Sequence, residues 1–493
     1  MHANPIPAAP QGPRPALDLG RIGGRRVLVA GAGVSGLAAA SALVELGARV
    51  TVSDAVPARL ADLPPGVEAG EDGVLPAGTA LVVTGPGRRP NHPLVAATAA
   101  AGVPMVGEPE LAWWIGAAHP RPPVWLAVTG TNGKTTTVGM LAAILRAAGH
   151  DALACGNIGY PLVDAVRAGH GVLAVELSSF QLHWSPSLRP AAGCVLNVAE
   201  DHLDWHGSMA AYAAAKARAL DAPVAVAGID DPAAAALLAA APAHRKVGIT
   251  LAPPRAGQLG IVDGVLVDAA FGAGDVALCP ADDVHPAGPP GLTDALAAAA
   301  LARAHGVAPA AVAAGLAGFR PGAHRSADAG TVAGVRFVDD SKATNPHAAD
   351  ASLAAQPPGR IVWIAGGLLK GADVDGLVAR HAGRLRAAVV IGTERREIVA
   401  ALARHAPDVP VAEVVAGEDA PVDGTAEGTA DGSGVGVMEQ AVRRAAAFAR
   451  PGDVVLLAPA AASMDQFADY AERGRAFAAA VRRLPGAAQE AAR

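Results

Sequence analysis

The chain has 493 residues and a formal net charge of −6, with 17% charged and 3% aromatic residues. This weakly acidic balance gives no electrostatic basis for binding nucleic acid or an anionic membrane surface, so neither is expected as a partner. The length predicts two to four domains, each with its own hydrophobic core.

The cysteines, Cys155, Cys194 and Cys279, form no CxxC pair and cannot all be bridged within the chain. Reduced thiols in a cytoplasmic protein are the simplest interpretation. The sequence has no unbroken apolar run of about 18 residues, so no membrane span is predicted. Residues 1–15 are proline-rich and lack a hydrophobic signal core, which predicts a disordered N-terminal arm over residues 1–19.

The first predicted strand, Arg26 to Ala30, leads into the turn Gly31-Ala-Gly-Val-Ser-Gly36 and an alanine-rich helix to Leu46. A second strand, Arg49 to Val52, ends at Asp54. This GxGxxG pattern, with an acidic residue about 20 positions on, is the dinucleotide fingerprint and taken alone favours NAD or FAD. The same turn can hold any diphosphate, because its N–H groups and the helix N-terminus bind phosphate oxygens.

A second tight turn, Thr84-Gly-Pro-Gly87, follows the predicted strand Leu81 to Val83. Two phosphate-binding turns at strand ends fit one nucleotide-diphosphate ligand at the carboxyl edge of a parallel sheet. We therefore predict a Rossmann-like parallel sheet in a domain spanning residues 20–119.

A phosphate loop is predicted after the proline-rich linker at residues 120–123. An apolar strand, Val124 to Val128, breaks into the turn Gly130 to Gly133, and Lys134 precedes a helix predicted over Val138 to Ala148. Such a turn cradles phosphates, the lysine reaches the outer ones, and Thr135 or Thr136 can reach Mg²⁺. The match is imperfect because Val128 stands where the general pattern has glycine, and an ordinary glycine-rich turn is the alternative.

Two further predicted strands end in acidic segments. The strand Gly171 to Val175 ends at Glu176, which is placed to hold Mg²⁺ or, alternatively, to act as a charge at a helix N-cap. The strand Gly193 to Val198 leads to Asp201, His202 and Asp204. Such crowding is costly unless a cation or phosphate neutralises it, so we predict a functional His202.

The rest of the chain contains fewer candidate functional residues. Lys216 lies on a predicted helix, Tyr212 to Leu220, and helix geometry alone predicts a solvated surface lysine. Residues 222–318 are predicted to alternate strands with alanine-rich helices, and residues 319–325 to form an interdomain passage with Arg325 reaching into a cleft. The C-terminal part predicts strands at 335–338, 360–365, 387–391 and 454–457, and a mobile surface insertion at 416–436.

These elements predict an α/β protein of three domains. The first is the Rossmann-like sheet, the second a P-loop ATPase-like sheet over residues 120–321, and the third another Rossmann-like sheet over residues 322–493.

Together the motifs resemble the Mur ligases of peptidoglycan precursor synthesis, over about residues 20–485. They resemble most closely the members that add D-glutamate to UDP-N-acetylmuramoyl-L-alanine. The motifs that carry the resemblance are Thr129-Gly-Thr-Asn-Gly-Lys-Thr-Thr136, Gly156-Asn-Ile-Gly159, Glu176-Leu-Ser-Ser-Phe-Gln181, Asn197-Val-Ala-Glu-Asp-His-Leu-Asp204, Tyr212 to Lys216, His324-Arg325, Asp340-Ser-Lys-Ala-Thr-Asn345 and Ser463-Met-Asp-Gln-Phe467.

The resemblance implies an ATP- and Mg²⁺-dependent amide-bond ligase that works through an acyl phosphate on small-molecule substrates, and we expect a monomer. It implies that Lys134, Glu176, His202 and Lys216 are catalytic. It implies that Thr135, Glu176, His202 and, if carbamylated, Lys216 hold metal, which reverses the surface interpretation of Lys216. It implies that UDP, not NAD, occupies the first domain.

The resemblance also implies two sets of binding residues. ATP is expected at Gly130, Thr131, Asn132, Gly133, Lys134, Thr135, Thr136, Thr137, Asp294, Arg325 and Asp340. The other substrates are expected at Val34, Ser35, Asp54, Gly85, Pro86, Gly87, Asn157, Ser178, Lys342, Thr344, Lys370, Ser463 and Tyr470, with D-glutamate at the last five.

This chain departs from the family pattern at a few positions. Pro290-Gly291 stands where the family often has His-Asn, and Asp294 stands where an adenine-binding asparagine is expected. A carboxylate only accepts hydrogen bonds, whereas an amide also donates, so adenine contacts there are in question. Tyr470 replaces an expected phenylalanine.

Other functions explain fewer of these residues. Another Mur ligase or a folylpolyglutamate synthetase would share the phosphate loop but not the Ser463-Met-Asp-Gln-Phe motif. An NAD-dependent oxidoreductase built on the first glycine-rich turn leaves Lys134, Glu176 and His202 without a role. A non-catalytic nucleotide-binding regulator would be expected to lack some of these residues.

Overall fold

The computed structural model describes residues 19–415 and 434–486. Within them the chain forms three α/β sheets, which confirms the predicted fold class. The predicted N-terminal arm, residues 1–19, lies outside the described residues except for its last position. The predicted insertion also lies outside them up to residue 433, and its last three residues belong to a helix that begins at Gly434.

The first sheet has five parallel strands in the order β3-β2-β1-β4-β5. Its inner strands β1 and β4 are buried along almost their whole length, as is typical of a parallel sheet with helices on its faces. Its elements are β1 (Arg26–Ala30), α1 (Val34–Glu45), β2 (Arg49–Ser53), β3 (Val67–Gly70), β4 (Thr79–Thr84), α2 (Pro93–Ala100), β5 (Met105–Gly107) and α3 (Glu108–Ala118).

The second sheet has nine strands in the order β14-β13-β12-β11-β10-β9-β6-β8-β7. Its elements are β6 (Val124–Thr129), α4 (Lys134–Ala147), β7 (Ala152–Gly156), α5 (Leu162–Arg167), β8 (Val172–Glu176), α6 (Ser179–His183), β9 (Ala192–Val195), α7 (Leu203–His206), α8 (Met209–Ala217), β10 (Val224–Gly228), α9 (Pro232–Ala240), β11 (Arg245–Ile249), β12 (Gln258–Val262), β13 (Val265–Asp268), β14 (Val276–Pro280), α10 (Pro289–Ala304) and α11 (Pro309–Gly318).

The third sheet has six strands in the order β15-β16-β20-β17-β18-β19, all parallel except β15. Its elements are β15 (Ala327–Val332), β16 (Val335–Asp339), α12 (Pro346–Ala354), β17 (Ile361–Gly366), α13 (Asp375–His381), β18 (Leu385–Ile391), α14 (Arg395–His405), β19 (Val411–Glu413), α15 (Gly434–Phe448), β20 (Val454–Leu457) and α16 (Tyr470–Arg482).

By its internal contacts the chain divides into two compact units, Met1–Phe319 and Arg320–Arg493. The first unit contains both the first and the second sheet. One hydrophobic cluster joins them, because Val27 and Leu81 of the first sheet belong to the same buried set as Trp125 and Leu173 of the second.

Several element predictions differ from the structure. The helix after the phosphate loop begins at Lys134 rather than Val138, because the polar threonines form its first turn. The strand predicted over Gly193 to Val198 already ends at Val195. The simple alternation predicted for residues 222–318 is wrong, since β12, β13 and β14 form an antiparallel meander at the sheet edge.

In the part of the chain that the structure describes, every helix is too short or too polar to cross a lipid bilayer.

Candidate functional site

The phosphate loop lies between β6 and α4, with its glycines where the backbone needs them. Gly133 has φ of +85°, a left-handed conformation, and a Cβ at this position would collide with the Asp294 carboxylate. The helix starts at the next residue, Lys134. Its first-turn N–H groups therefore point out of the helix N-terminus, which is a favourable place for phosphate oxygens.

The amide of Asn197, just beyond β9, holds the loop. Its Oδ1 accepts from the backbone N–H groups of Thr131 at 3.1 Å and Asn132 at 2.9 Å, and its Nδ2 donates to the Asn132 carbonyl at 3.3 Å. These three hydrogen bonds therefore stabilise the conformation of the turn. No role is predicted for Asn197 from the sequence, although it begins the motif Asn197 to Asp204.

Lys134 and Lys216 meet at one acceptor. Lys134 Nζ donates to the carbonyl oxygens of Gly130 at 2.9 Å and Thr131 at 2.7 Å, and Lys216 Nζ donates to the same Gly130 oxygen at 2.7 Å. Lys216 is 2% exposed, and its Nζ lies 4.4 Å from the ring centroid of Tyr212. The surface interpretation of Lys216 from helix geometry is therefore wrong.

The environment of Lys216 favours the neutral amine. Burial, followed by the charge of Lys134, holds the pKa of Lys216 well below its usual value, and Asp201 acts in the opposite direction. A neutral amine is a nucleophile, whereas an ammonium is not. The arrangement can therefore support covalent chemistry at Lys216 Nζ.

Glu176 ends β8 beside the loop and is 2% exposed. Its Oε2 accepts from the Thr135 hydroxyl at 2.6 Å, and its Oε1 accepts from Asn157 Nδ2 at 2.8 Å. Ser178, not Glu176, is the N-cap of α6, because its hydroxyl accepts from the Gln181 N–H at 3.1 Å. This geometry leaves the Glu176 carboxylate directed at the phosphate loop.

A carboxylate and a hydroxyl are oxygen ligands of the kind that Mg²⁺ takes. Thr135 and Glu176 therefore fit a magnesium ion. Among residues 19–415 and 434–486, however, no three His, Cys, Asp or Glu side chains lie close enough together to hold a metal ion. Such an ion would need further oxygens, and phosphate and water can supply them.

His202 has a left-handed backbone, with φ of +54°, and its side chain is 42% exposed. Its Nε2 lies 3.5 Å from Asp201 Oδ2, and its ring centroid lies 4.7 Å from that of Phe180. Asp204 pairs instead with Arg89, at 2.7 Å from Nη2 to Oδ2. The sequence predicted that a cation or a phosphate would neutralise this acidic segment, and for Asp204 the cation is Arg89, which follows β4.

His206 was not singled out from the sequence. Its Nε2 lies 3.0 Å from the hydroxyl of Ser179, and its ring packs against Trp205 and Tyr212. Burial, followed by His183, His202 and Lys216, lowers the pKa of His206 to about 4, and Asp204 acts in the opposite direction. His206 is therefore neutral at pH 7 and packs as part of an aromatic cluster beside His202.

Helix α10 meets the first turn of α4 through a carboxylate. Thr137 donates its hydroxyl to Asp294 Oδ1 at 3.1 Å, and both residues are buried, as is Thr136. A side chain at Gly291 would collide with the carbonyl oxygen of Pro286, which explains why this chain has glycine where the family often has asparagine. The structure therefore directs Asp294 at the phosphate-loop helix.

A cleft of about 690 Å³ opens at the carboxyl ends of β1, β2 and β4. Its lining includes three arginines, which suit a diphosphate. Among the predicted residues it includes Ser35, Asp54 and the Gly85 to Gly87 turn, with Arg59, Arg88 and Arg89 around them. Val34 is 70% exposed and does not line this cleft.

Asp54 supports the glycine-rich turn from within. Its Oδ2 accepts from the Ala32 N–H at 2.8 Å, and its Oδ1 accepts from the Val56 N–H at 2.8 Å. Burial alone raises the pKa of this carboxyl, but the two N–H groups and Arg59 outweigh it and lower the pKa. The carboxylate therefore fixes the turn that would contact a bound diphosphate.

Two contacts connect this cleft to the His202 segment. Trp205 donates from its indole nitrogen to the carbonyl oxygen of Gly87 at 3.3 Å, and Arg89 pairs with Asp204 as described above. Gly87 and Arg89, which line the cleft, thus contact Trp205 and Asp204 of the segment beside the phosphate loop.

In the second unit, Arg325 and Asp340 lie near the carboxyl end of β16. Asp340 Oδ1 accepts from the Ser326 N–H at 3.2 Å, and the Ser352 hydroxyl donates to its Oδ2. Burial raises the pKa of Asp340 to about 6, and Asp339 adds to the rise. The hydrogen bonds from Ser352 and Ser326 and the charge of Arg325 act in the opposite direction.

Lys342 and Tyr470 form a cation–π pair, with Nζ 3.8 Å from the ring centroid. Ser463 follows β20 and is 4% exposed, and the N–H of Thr344 donates to the carbonyl of Lys342 at 2.8 Å. Lys370 has a left-handed backbone with φ of +56°, and its N–H donates to Glu394 Oε2 at 3.2 Å. All five side chains lie on loops at the carboxyl ends of β16, β17 and β20, or at the start of α16.

Three family models match parts of the chain. The family described as Mur ligase middle domain matches residues 128–253, and the Mur ligase, glutamate ligase domain matches residues 324–461. The C-terminal domain of alanine dehydrogenase/PNT matches residues 17–70, the segment with the GxGxxG turn.

Curated relatives match almost the whole chain. The UDP-N-acetylmuramoylalanine--D-glutamate ligase of Mycobacterium avium is 55% identical over 478 residues, which cover 93% of this chain and 96% of the relative. The enzyme of the same name from Nocardia farcinica is 54% identical over 470 residues, covering 94% and 97%.

Solved structures share the fold at low identity. A pseudomurein peptide ligase type C from Methanothermus fervidus has a TM-score of 0.54 at 17% identity, covering 88% of this chain and 96% of its own. MurF ligase from Thermotoga maritima in complex with ADP has a TM-score of 0.54 at 16% identity, covering 95% and 97%.

Proposed function

We propose the reaction of this chain from its family, because the chain belongs to the Mur ligase family. It is an ATP-dependent ligase that adds D-glutamate to UDP-N-acetylmuramoyl-L-alanine in the synthesis of peptidoglycan precursors. The observation that carries this conclusion is 55% identity, over 93% of the chain, to a relative named for that reaction. We further propose that it works as a monomer in the cytoplasm.

The UDP moiety is proposed to bind in the cleft at the carboxyl edge of the first sheet. The N-terminus of α1 and the Gly85 to Gly87 turn face a diphosphate there, and Arg59 and Arg89 supply positive charge. Asp54 keeps the glycine-rich turn in place from behind. Ser35 also lines the cleft, whereas Val34 is proposed to contact only the outer part of the ligand.

The γ-phosphoryl group of ATP is proposed to transfer to the terminal carboxylate of the UDP substrate. A carboxylate oxygen attacks the γ-phosphorus, the bond to the β–γ bridging oxygen breaks, and ADP leaves. The N-terminus of α4 binds the phosphates, and Lys134 neutralises charge that builds up on the group in transfer. Gly130 to Thr137 are the proposed ATP contacts in this unit, together with Asp294.

Thr135 and Glu176 are proposed to hold Mg²⁺, with His202 at a second metal position. When bound, the ion supplies charge neutralisation for the phosphoryl group. The 2.6 Å contact between the Thr135 hydroxyl and Glu176 supports this proposal, since both oxygens already face the same point. Asn157 keeps the Glu176 carboxylate in orientation from its other oxygen.

Lys216 is proposed to react with carbon dioxide and become a carbamate. Its neutral amine attacks the carbon of CO₂, so that a C–N bond forms while one C=O π bond opens and leaves its electron pair on oxygen. The nitrogen then loses one proton to solvent. The depressed pKa of Lys216 supports this step, because only the unprotonated amine can attack. The product carries oxygen ligands in place of an ammonium, so it can serve a metal.

D-Glutamate is proposed to bind at the carboxyl edge of the third sheet, with ATP also contacted by Arg325 and Asp340. Lysine ammoniums and hydroxyls suit a substrate with two carboxylates. The proposed contacts are Lys342, Thr344, Lys370, Ser463 and Tyr470. The neutral amine of D-glutamate attacks the acyl carbon, and phosphate leaves with the electron pair of the broken C–O bond. The nitrogen loses one proton to solvent or to the departing phosphate. Asn157 and Ser178 are proposed to contact the UDP substrate near its reacting end.

Phosphate release under defined substrate combinations tests this function. We expect ADP and phosphate to form only when both UDP-N-acetylmuramoyl-L-alanine and D-glutamate are present with ATP. Equal turnover with L-glutamate and a pteroate acceptor would favour a folylpolyglutamate synthetase instead. Nicotinamide reduction without ATP turnover would favour an oxidoreductase.

A further inference from the structure

Arg473 is one of the largest fully buried side chains, at 1% exposure, and it lies in the first turn of α16. Its Nε donates to the Ser341 hydroxyl at 3.0 Å, and its Nη2 donates to the Ser341 carbonyl at 2.9 Å. Its Nη1 donates to the carbonyls of Ala461 at 3.1 Å and Gly366 at 3.4 Å. One guanidinium therefore joins three separate loops.

These loops leave three neighbouring parallel strands. Ser341 follows β16, Gly366 ends β17 and Ala461 follows β20, and the sheet order is β16-β20-β17. The loops that they begin are the ones that carry the proposed D-glutamate contacts, Lys342, Lys370 and Ser463. The Ser341 hydroxyl also donates to the Tyr470 carbonyl at 2.8 Å, which ties in the start of α16.

Packing alone does not explain an arginine here. Burying a cation costs free energy, and an apolar side chain of similar volume would avoid that cost. Burial lowers the pKa of Arg473 to about 10, and Asp465 and Asp339 act in the opposite direction, so the group stays charged at neutral pH. The rigid planar fork is what an arginine offers beyond volume, because it reaches several acceptors at fixed angles.

The next residue keeps the helix close to the same loops. A Cβ at Gly474 would collide with the ring of His324 and lie 2.7 Å from the Asp339 carboxylate. Those two side chains are themselves joined by a 2.6 Å hydrogen bond from His324 Nδ1 to Asp339 Oδ2. Two neighbouring residues therefore hold the start of α16 in place. Arg473 bonds to the loops at the ends of β16, β17 and β20, and Gly474 packs against His324 and Asp339.

We propose that Arg473 is a positioning residue for the D-glutamate site, holding its three loops in register without touching the substrate. This proposal rests on the proposed function of those loops. A lysine at this position can reach one or two of the acceptors but cannot reproduce the fork, so the loops lose part of their mutual order. The defect should fall on D-glutamate rather than on the UDP substrate, whose proposed cleft belongs to the first unit.

Steady-state kinetics of Arg473→Lys and Arg473→Met test the proposal, with Arg475→Met as control because Arg475 is exposed on the same helix. We expect the KM for D-glutamate to rise about tenfold or more in both variants, on the scale of lost charge-assisted hydrogen bonds. The dissociation constant of the UDP substrate should stay within about twofold of wild type. The control should match wild type in both.

Three results would overturn the proposal. One is a D-glutamate KM within twofold of wild type in both folded variants. Another is an equal rise in all substrate constants, which indicates general destabilisation. The third is loss of folding in both variants, judged by circular dichroism, since Arg473 would then support the whole unit. If the proposed function itself is wrong, the wild-type protein will hydrolyse ATP at a rate that does not depend on D-glutamate.

Discussion

Lys134 and Lys216 donate to the same acceptor, the Gly130 carbonyl oxygen, at 2.9 and 2.7 Å. Two ammonium groups that share one oxygen repel each other, and Lys216 is the buried one. It is therefore the lysine that gives up its charge more readily. The shared acceptor thus makes the charge of Lys216, and with it the proposed carbamate, depend on Lys134 of the phosphate loop.

A carbamate on Lys216 should be observable directly. With ¹³C-labelled CO₂, we expect a carbamate carbon signal in the NMR spectrum of the wild type that is absent in Lys216→Arg. Lys134→Met should weaken the signal at a given pH, because removing the Lys134 charge raises the pKa of Lys216. Full activity of Lys216→Arg, or of wild type after removal of CO₂, would contradict the proposed role.

Lys134→Met should lower the rate of ligation without weakening the binding of the UDP substrate. We expect ligation to fall at least about 10²–10³-fold, because the side chain that neutralises the phosphoryl group is lost. UDP-substrate affinity, measured by calorimetry, should stay within about twofold of wild type. Arg146→Met on the exposed face of α4 is the control. An equal loss of UDP-substrate binding would place that ligand on the second sheet rather than the first.

Asp54→Asn should weaken binding of the UDP substrate about tenfold, equivalent to ~1.4 kcal/mol. The amide can accept only one of the two N–H bonds, from Ala32 or Val56, that the carboxylate accepts now. Calorimetric titration measures the change, with Glu68→Gln, exposed on β3 of the same sheet, as control. Unchanged affinity in Asp54→Asn would show that the turn keeps its shape without this support.

Glu108 should make stability depend on pH. It is 3% exposed at the start of α3, it accepts from the Val163 N–H at 2.7 Å, and burial raises its pKa from 4.5 to about 7. Because the folded pKa exceeds the unfolded one, this group favours the folded state at low pH and loses that contribution as pH rises through 7. Between pH 5 and 8 the free energy of unfolding should fall by roughly 2.5 kcal/mol from this group.

Glu108→Gln should remove that slope, because the amide does not ionise. Urea unfolding at pH 5 and pH 8 measures the difference, and Glu71→Gln, exposed after β3, serves as control. A pH slope that is the same in Glu108→Gln and wild type would mean that other groups cause it.

Most strand ends can be predicted from the sequence, because polar residues start where the apolar run of a buried parallel strand stops, although β9 ends earlier than predicted. Glu176 and the Gly130 to Gly133 turn were predicted on that basis, and the structure brings them together. The same reasoning predicted that a cation or a phosphate would neutralise Asp201, His202 and Asp204, but it could not say which residue would do so. Asp204 pairs with Arg89, which lies more than a hundred residues away in the sequence, and no local sequence pattern indicates such a partner.

The supporting residues were harder to predict. Asn197 acts through hydrogen bonds to a loop from another strand, and Arg473 acts through carbonyls of three loops, so neither shows a spacing signal. Lys216 looked like a surface residue because its helix is mostly alanine, which leaves little amphipathic pattern to indicate its buried face. The family resemblance, not periodicity, identified it.

In the proposed reaction, the terminal carboxylate of the UDP substrate becomes an acyl phosphate beside Lys134 and Glu176. Labelling both oxygens of that carboxylate with ¹⁸O and analysing the released phosphate by mass spectrometry tests it most directly. We expect one ¹⁸O atom in each phosphate and ADP as the other product. Unlabelled phosphate, or AMP with pyrophosphate, would contradict it.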